Sequence, residues 1–275
     1  MAAPLPTLGL GLGWRPELAL LIDRHPALGF VEVIAEDINP AAPPAALQRL
    51  RRRGLAIIPH GVSLSLGGTE PLDPDRLSAL AALAQRLEAP LVSEHLAFVR
   101  AGGIETGHLL PLPRRRDSLD LLVANIRRAR AALPVPLAVE NIASLFEWPG
   151  AEMDEATFLT EVLEQADVSL LLDIANVYAN ARNHGWDAAS FLDHIPLDRL
   201  AYVHIAGGTE RDGLYHDTHT HPIPVGVLDL LEELCARVPV PGVLLERDDD
   251  FPADVELLEE LTAIQEALVR GNARR

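Results

Sequence analysis

The sequence predicts a single-domain α/β protein, a (β/α)8 barrel of the TIM type, and three observations carry that prediction. Eight short β-like runs alternate with amphipathic helical segments across the whole chain. The runs are close to continuously apolar, as at Leu170-Leu-Leu172 and Val243-Leu-Leu245, which suits parallel strands buried on both faces. The chain has 275 residues, 48% of them hydrophobic, enough for one core of that size.

In order, the runs fall at residues 7–13, 29–35, 55–61, 90–96, 136–142, 169–176, 200–207 and 242–247. Between them, segments 74–88, 117–133 and 154–166 open on Pro74, Asp117 and Asp154, residues that favour a helix start. The short Ala/Pro stretch 39–46 reads as a loop entering a helix. A doubly wound open sheet is the alternative, but no Gly-x-Gly-x-x-Gly turn follows a strand, and Gly9-Leu-Gly11-Leu-Gly13 lies inside the first run. The expectation is one domain over residues 1–275.

Composition then narrows the function classes. A net charge of -17 disfavours a nucleic-acid partner, because affinity for phosphate backbones rests on basic surface that releases counterions. All 23 basic residues are arginine, so Schiff-base and PLP chemistry and a P-loop lysine are excluded. The single cysteine, Cys235, can make neither an internal disulfide nor a thiolate cluster, and its apolar helical surroundings read as those of a buried thiol. Any metal must therefore be held by nitrogen and oxygen. No apolar run approaches the roughly 20 residues that span a bilayer, and residues 1–13 lack the pattern of a signal peptide. The expectation is a cytoplasmic protein with no membrane partner.

Chemistry concentrates at the ends of the runs. A buried strand that ends in a carboxylate or imidazole delivers that group to the barrel mouth, where such enzymes place their sites. Six of the eight runs do so: His60; Glu94 and His95; Glu140 and Asn141; Asp173 and Asn176; His204; and Glu246. A lone histidine or glutamate at a strand end is ordinarily hydrogen-bonded scaffolding. Several converging on one small mouth would repel one another or stay half-solvated without a cation, and a mixed His/Asp/Glu set suits Fe, Mn or Zn.

The loop after the seventh run holds Tyr215-His-Asp-Thr-His-Thr-His221. In an extended segment Asp217, His219 and His221 point to one side, so that Asp217-x-His219 can chelate one ion, while His216 faces away. Asp248-Asp-Asp250 reads as a solvated turn or helix cap whose charge could raise cation affinity. Asn180, Asn183 and His184 read as turn or substrate residues.

Over nearly its whole length the chain resembles the DUF692 family, the multinuclear non-haem iron-dependent oxidases. The motifs that carry the resemblance are His60-Gly-Val-Ser-Leu-Ser-Leu-Gly-Gly68, Ser93-Glu-His-Leu-Ala97, Leu109-Leu-Pro-Leu-Pro113, Glu140-Asn141, Leu171-Leu-Asp-Ile-Ala-Asn-Val-Tyr178, Asn183-His-Gly185, His204-Ile-Ala-Gly207 and His216-Asp-Thr-His219. The resemblance implies a TIM barrel of the endonuclease IV and sugar-isomerase superfamily. It further implies two or three iron ions used with O2 to oxidise cysteine residues of a ribosomally made precursor peptide, with a small partner protein presenting that peptide; zinc or manganese are the alternative metals. Carried over residue by residue, the implied ligands are His60, His95, Glu140, Asp173, Asn176, His204, Asp217, His219 and Glu246, with Asp217, His219 and Glu94 at the reacting centre.

The chain departs from the family pattern in three places. Asp173-Ile-Ala175-Asn176 stands for the common Asp-x-Asn-Asn, Gly208 stands where a further histidine often follows His-x-Ala-Gly, and Glu36-Asp37-Ile38 stands for Glu-Asn-aromatic. These bear on the outer pocket. Three other readings compete with the oxidase. They are an endonuclease IV-like phosphodiesterase, which the acidic surface disfavours; a sugar isomerase, which the missing lysine disfavours; and a barrel that binds metal or peptide without chemistry.

Overall fold

The computed structural model describes residues 7–275. Residues 1–6, part of the predicted domain and of the segment read for a targeting signal, lie outside the described residues. The strands are β1 (Gly9–Gly13), β2 (Leu28–Ile34), β3 (Ala56–Gly61), β4 (Val92–His95), β5 (Phe98–Ala101), β6 (Ile104–Leu110), β7 (Leu137–Glu140), β8 (Ser169–Asp173), β9 (Leu200–Ile205), β10 (Gly208–Arg211), β11 (Leu214–Asp217) and β12 (Gly242–Leu245). The helices are α1 (Ala19–Arg24), α2 (Ala45–Arg52), α3 (Pro74–Leu87), α4 (Arg116–Ala132), α5 (Glu155–Ala166), α6 (Ile174–His184), α7 (Ala188–Asp193), α8 (Val225–Arg237) and α9 (Asp254–Arg274).

Eight of the strands close a parallel barrel in the spatial order β1, β12, β9, β8, β7, β4, β3, β2, each matching one predicted apolar run. The remaining four form two antiparallel hairpins, β5–β6 and β10–β11. Neither hairpin was predicted. Their turns carry the signals Gly102-Gly103 and Asp212-Gly213, all with positive φ, as two-residue hairpin turns require.

Helix starts follow the predicted logic. The Asp73 carboxylate accepts the backbone amides of Asp75 and Arg76 ahead of α3, and Asp154 accepts that of Thr157 ahead of α5. The main apolar layer lies between the strands and these helices and includes Leu12, Ile57, Leu83, Leu122, Leu163, Leu231 and Leu261. Each such side chain contributes roughly 1.5–3 kcal/mol by leaving water. Cys235 belongs to this layer, as expected, and burial pushes its thiol up to about 11. No helix among the described residues is long and apolar enough to cross a membrane.

A smaller apolar cluster fills the barrel itself: Leu8, Phe30, Ile58, Leu91, Ala138, Leu171, Tyr202 and Leu244 with Ala201. Gly11 makes room for it, because a Cβ there would lie 2.4 Å from the Phe30 ring. This plug sets the floor of the mouth.

Candidate metal centre

Side chains on a strand alternate with period two, so an inward apolar residue fixes what faces inward two positions later. From the plug, that rule leads from Ile58 to His60, from Leu91 through Ser93 to His95, and from Ala138 to Glu140. It likewise leads from Leu171 to Asp173, from Tyr202 to His204, and from Leu244 to Glu246. All of these polar residues are buried. Strand register brings them level: His95 pairs with Glu140, and Asp173 with His204.

Glu140 is the hub. Its Oε2 lies 3.4 Å from His60 Nε2 and 3.3 Å from His95 Nε2, and its Oε1 lies 3.3 Å from His204 Nδ1. His204 Nδ1 also lies 3.1 Å from Glu246 Oε2, and Glu246 Oε2 lies 3.5 Å from His219 Nδ1. On the far side His219 Nε2 contacts Asp217 Oδ2. Four overlapping groups result, each with potential ligand atoms within 4.8 Å of one another: His60, His95 and Glu140; Glu140, Asp173, His204 and Glu246; Asp173, Asp217 and His219; and His219, Glu246 and Asp248.

Close as they are, these atoms do not satisfy one another. Glu140 Oε2, Asp173 Oδ2, His204 Nδ1, Asp217 Oδ1 and Glu246 Oε2 are buried without a hydrogen-bond partner among the described residues. Each such orphan costs about 1–3 kcal/mol, more where the group is charged. The strain also shows in proton affinity. Burial pushes the Asp173 carboxyl up, and the carboxylates of Asp217 and Glu140 push it further. Burial pulls the His95 imidazole down, but Glu140 and then Glu94 outweigh it and carry it up to about 9. Cations placed among these atoms would satisfy the orphans and relieve the repulsion. A set of imidazole and carboxylate donors fits Fe, Mn or Zn, so the residues present suit the metal centre that the sequence resemblance implies.

Asn176 and Glu94 flank this cluster: Glu94 Oε1 lies 3.4 Å from His95 Nδ1, and Asn176 lines the same cavity as His95, Glu140, Asp217 and His219. The run predicted to 176 ends as strand at Asp173, and Asn176 lies in the first turn of α6, where its amide is accepted by Asp173 Oδ1 at 2.8 Å. Its Nδ2 donates to the Asn141 carbonyl at 3.0 Å, and the side chain borders the mouth. Glu94 is out of phase with Ser93 and His95. Its two oxygens accept the amides of Leu64 and His95, both at 2.8 Å, so it holds the 62–66 loop against β4. Asn141 exchanges two 2.9 Å hydrogen bonds with the Asp173 backbone and ties β7 to β8.

The histidine loop is not extended throughout, as the sequence reading assumed. His219 has a φ of 55° and turns the chain, yet Asp217 and His219 still meet. The turn sends His221 away from them, to the hydroxyl of Thr218 at 2.8 Å. Asp248 is no mere solvated turn, since its Oδ2 accepts His219 Nδ1 at 2.8 Å. Asn183 clamps β11 by pairing with both the N–H and the C=O of Tyr215, at 2.8 and 2.9 Å.

Sequence reasoning missed Glu32. It follows Phe30 by two positions, the very signal that marks the other inward residues, but it lies inside its run rather than at the end. Its Oε2 accepts hydrogen bonds from Tyr202 Oη at 2.5 Å and from His204 Nε2 at 3.0 Å.

Above the cluster, the two hairpins and the 142–146 loop wall a cavity of about 930 Å3. Leu110, Ile142 and Phe146 give it an apolar side, Arg211 and His216 a polar one, and His95, Glu140, Asp217 and His219 reach it from below. A smaller cavity of about 290 Å3 beside α5 and α7 borders none of the four ligand groups.

Comparison with known proteins agrees with this architecture. The sequence profile of the family described as "RiPP precursor modification enzyme MbnB/TglH/ChrH" matches residues 9–269. A UPF0276 protein of Streptomyces avermitilis is 53% identical over 98% of this chain, which spans 57% of that relative's length. A UPF0276 protein of Rhizorhabdus wittichii is 37% identical over 97% of this chain and 96% of its own. Among solved structures, endonuclease IV from Thermus thermophilus superposes with a TM-score of 0.63 at 20% identity, covering 94% of this chain and 99% of that one. An L-ribulose 3-epimerase gives 0.61 at 15% identity, covering 96% of each. At such identities the structural likeness bears on the fold alone. The fold and the profile match together identify the chain as a member of the MbnB/TglH/ChrH (DUF692) family of RiPP precursor modification enzymes.

Proposed function

We propose that this chain is a multinuclear iron-dependent, O2-using oxidase that modifies cysteine residues of a ribosomally synthesised precursor peptide, delivered by a small presenting protein. The observation that carries the metal part is the convergence of five orphaned, buried ligand atoms from Glu140, Asp173, His204, Asp217 and Glu246 in one cluster. His60, His95, Glu140, Asp173, Asn176, His204, Asp217, His219 and Glu246 would hold the ions, with Asp217, His219 and Glu94 at the reacting centre. When bound, the irons supply the one-electron and O2 chemistry that no side chain of this protein can perform alone.

The protein's own part is positional. Strand ends fix the imidazoles and carboxylates with little freedom, so few degrees of freedom are lost when ions bind. The apolar side formed by Leu110, Ile142 and Phe146 would exclude water from the peptide beside the cluster. The cavity volume of about 930 Å3 suits a peptide segment as well as a metabolite. The net charge of -17 disfavours a nucleic-acid substrate.

The test is co-expression with a candidate cysteine-containing precursor peptide and its presenting protein, followed by iron analysis and peptide mass spectrometry. The expected result is iron in the purified protein and a mass change confined to peptide fragments that contain cysteine. A peptide that remains unmodified by an iron-loaded protein supplied with O2, across all candidate precursors, would overturn the oxidase reading.

A further inference from the structure

Beneath the ligand cluster runs an unbroken hydrogen-bonded chain of buried groups. His60 Nδ1 lies 2.8 Å from Ser93 Oγ, Ser93 Oγ lies 2.7 Å from Tyr202 Oη, Tyr202 Oη lies 2.5 Å from Glu32 Oε2, and Glu32 Oε2 lies 3.0 Å from His204 Nε2. All five side chains are at most 4% exposed. Phe30 packs its ring edge-on against Tyr202, with centroids 5.8 Å apart, and so holds the phenol in place.

The direction of every proton in this chain follows from its chemistry. A carboxylate has only acceptors, so Glu32 must receive from both Tyr202 and His204. The one phenolic proton is thereby spent on Glu32, so Tyr202 can only accept from Ser93. The one hydroxyl proton of Ser93 is spent on Tyr202, so Ser93 can only accept from His60 Nδ1–H.

From this geometry we infer that Glu32, Tyr202 and Ser93 are positioning residues that fix the protons of two facing histidines. They hold a proton on Nδ1 of His60 and on Nε2 of His204, so that His60 Nε2 and His204 Nδ1, which face Glu140, are the atoms left for a metal. The inference rests on the proposal that both histidines are metal ligands, and it assigns opposite ring nitrogens to the metal in the two cases. Outer hydrogen-bond partners of this kind set the tautomer and orientation of metal-binding histidines.

Tyr202→Phe gives a discriminating consequence. Among the described residues, Ser93 Oγ has no hydrogen-bond partner other than Tyr202 and His60. Without the phenol, His60 Nδ1 is the one acceptor left to the buried hydroxyl among the described residues, which favours the imidazole proton on Nε2, the nitrogen needed for metal.

The test is ring-nitrogen NMR of 15N-histidine-labelled protein, metal-free and with Zn(II), together with Zn(II) titration. The wild-type Zn(II) form is expected to show protons on His60 Nδ1 and His204 Nε2. Metal-free Tyr202→Phe is expected to show the His60 proton on Nε2, with Zn(II) affinity lowered about tenfold or more. Retention of the His60 proton on Nδ1 in Tyr202→Phe, or the opposite tautomers in the wild type, would overturn the inference. Should Tyr202→Phe fail to fold, Ser93→Ala is expected to leave the His60 ring without a preferred tautomer, and an unchanged Nδ1 proton there would count equally against it. A wild-type protein that binds no Zn(II) yet shows the His60 proton on Nδ1 would instead count against the metal reading.

Discussion

Asp173 Oδ1 accepts the backbone amide of Asn176 at 2.8 Å, so one carboxylate both caps α6 and turns its second oxygen, Oδ2, into the ligand cluster. The two duties can be separated. Asparagine caps helices as well as aspartate does but brings no charge to the cluster. Asp173→Asn is therefore expected to lower metal content while leaving the metal-free protein as stable or more so, by about 2–4 °C in melting temperature, because it removes a buried carboxyl that burial and the neighbouring carboxylates of Asp217 and Glu140 disfavour in its charged form. Metal analysis and melting curves on the metal-free and loaded forms check this. Full metal retention would remove Asp173 from the ligand set.

Asn183 touches no proposed ligand, yet it anchors the strand that ends at Asp217 through both backbone groups of Tyr215. Asn183→Ala is expected to weaken metal binding by roughly tenfold, in the range seen when outer partners of a metal site are removed. Titration with Fe(II) under anaerobic conditions reads the change. An unaltered affinity would mean that the hairpin is held by other contacts.

Glu155, which begins α5, offers a pH test away from the cluster. Burial pushes its carboxyl up to about 7, against the opposing pull of Arg114 and the Asn180 amide. Between the ordinary value of 4.5 and about 7 the folded protein holds a proton that the unfolded chain releases, so stability falls as pH rises through that window. The full effect is about 3 kcal/mol. Glu155→Gln should flatten that part of the stability profile and raise stability at neutral pH. Parallel profiles for variant and wild type would show that the carboxyl titrates normally.

Packing at the back of the barrel gives a prediction independent of metal. A Cβ at Gly271 would lie 2.6 Å from the Cys235 Cβ and 2.7 Å from the Glu232 carbonyl, so α8 and α9 approach as closely as glycine allows. Gly271→Ala is expected to destabilise by about 1–3 kcal/mol through overpacking. Cys235→Ala should leave metal content unchanged. Loss of metal in that variant would contradict the placement of the thiol in the outer apolar layer.

Much of the site was legible because a barrel strand imposes a period of two. His60, His95, Glu140, Asp173, His204 and Glu246 stand at the ends of apolar runs, and closure of the barrel gathers strand ends by necessity. The same period applied from the plug upward would have found Glu32, two residues past Phe30, and would have put Glu94 on the opposite face. Asn176 was misplaced because Asp173 was read only as a strand-end group, although an Asp ahead of an apolar segment is also a helix-start signal, the role it takes ahead of α6. The left-handed turn at His219 is not marked in the sequence, since positive φ is uncommon for any residue but glycine and the contact to Asp248 that accompanies it is tertiary. The turn signals for both hairpins were present, but each follows a barrel strand closely enough to read as loop.

Iron stoichiometry after anaerobic Fe(II) reconstitution shows whether one chain assembles a multinuclear iron centre. Two or three irons per chain are expected in the wild type, with fewer in His204→Ala and Asp217→Ala and a matching loss of thermal stability. Fewer than two irons in the wild type, or an unchanged count in both variants, would contradict it.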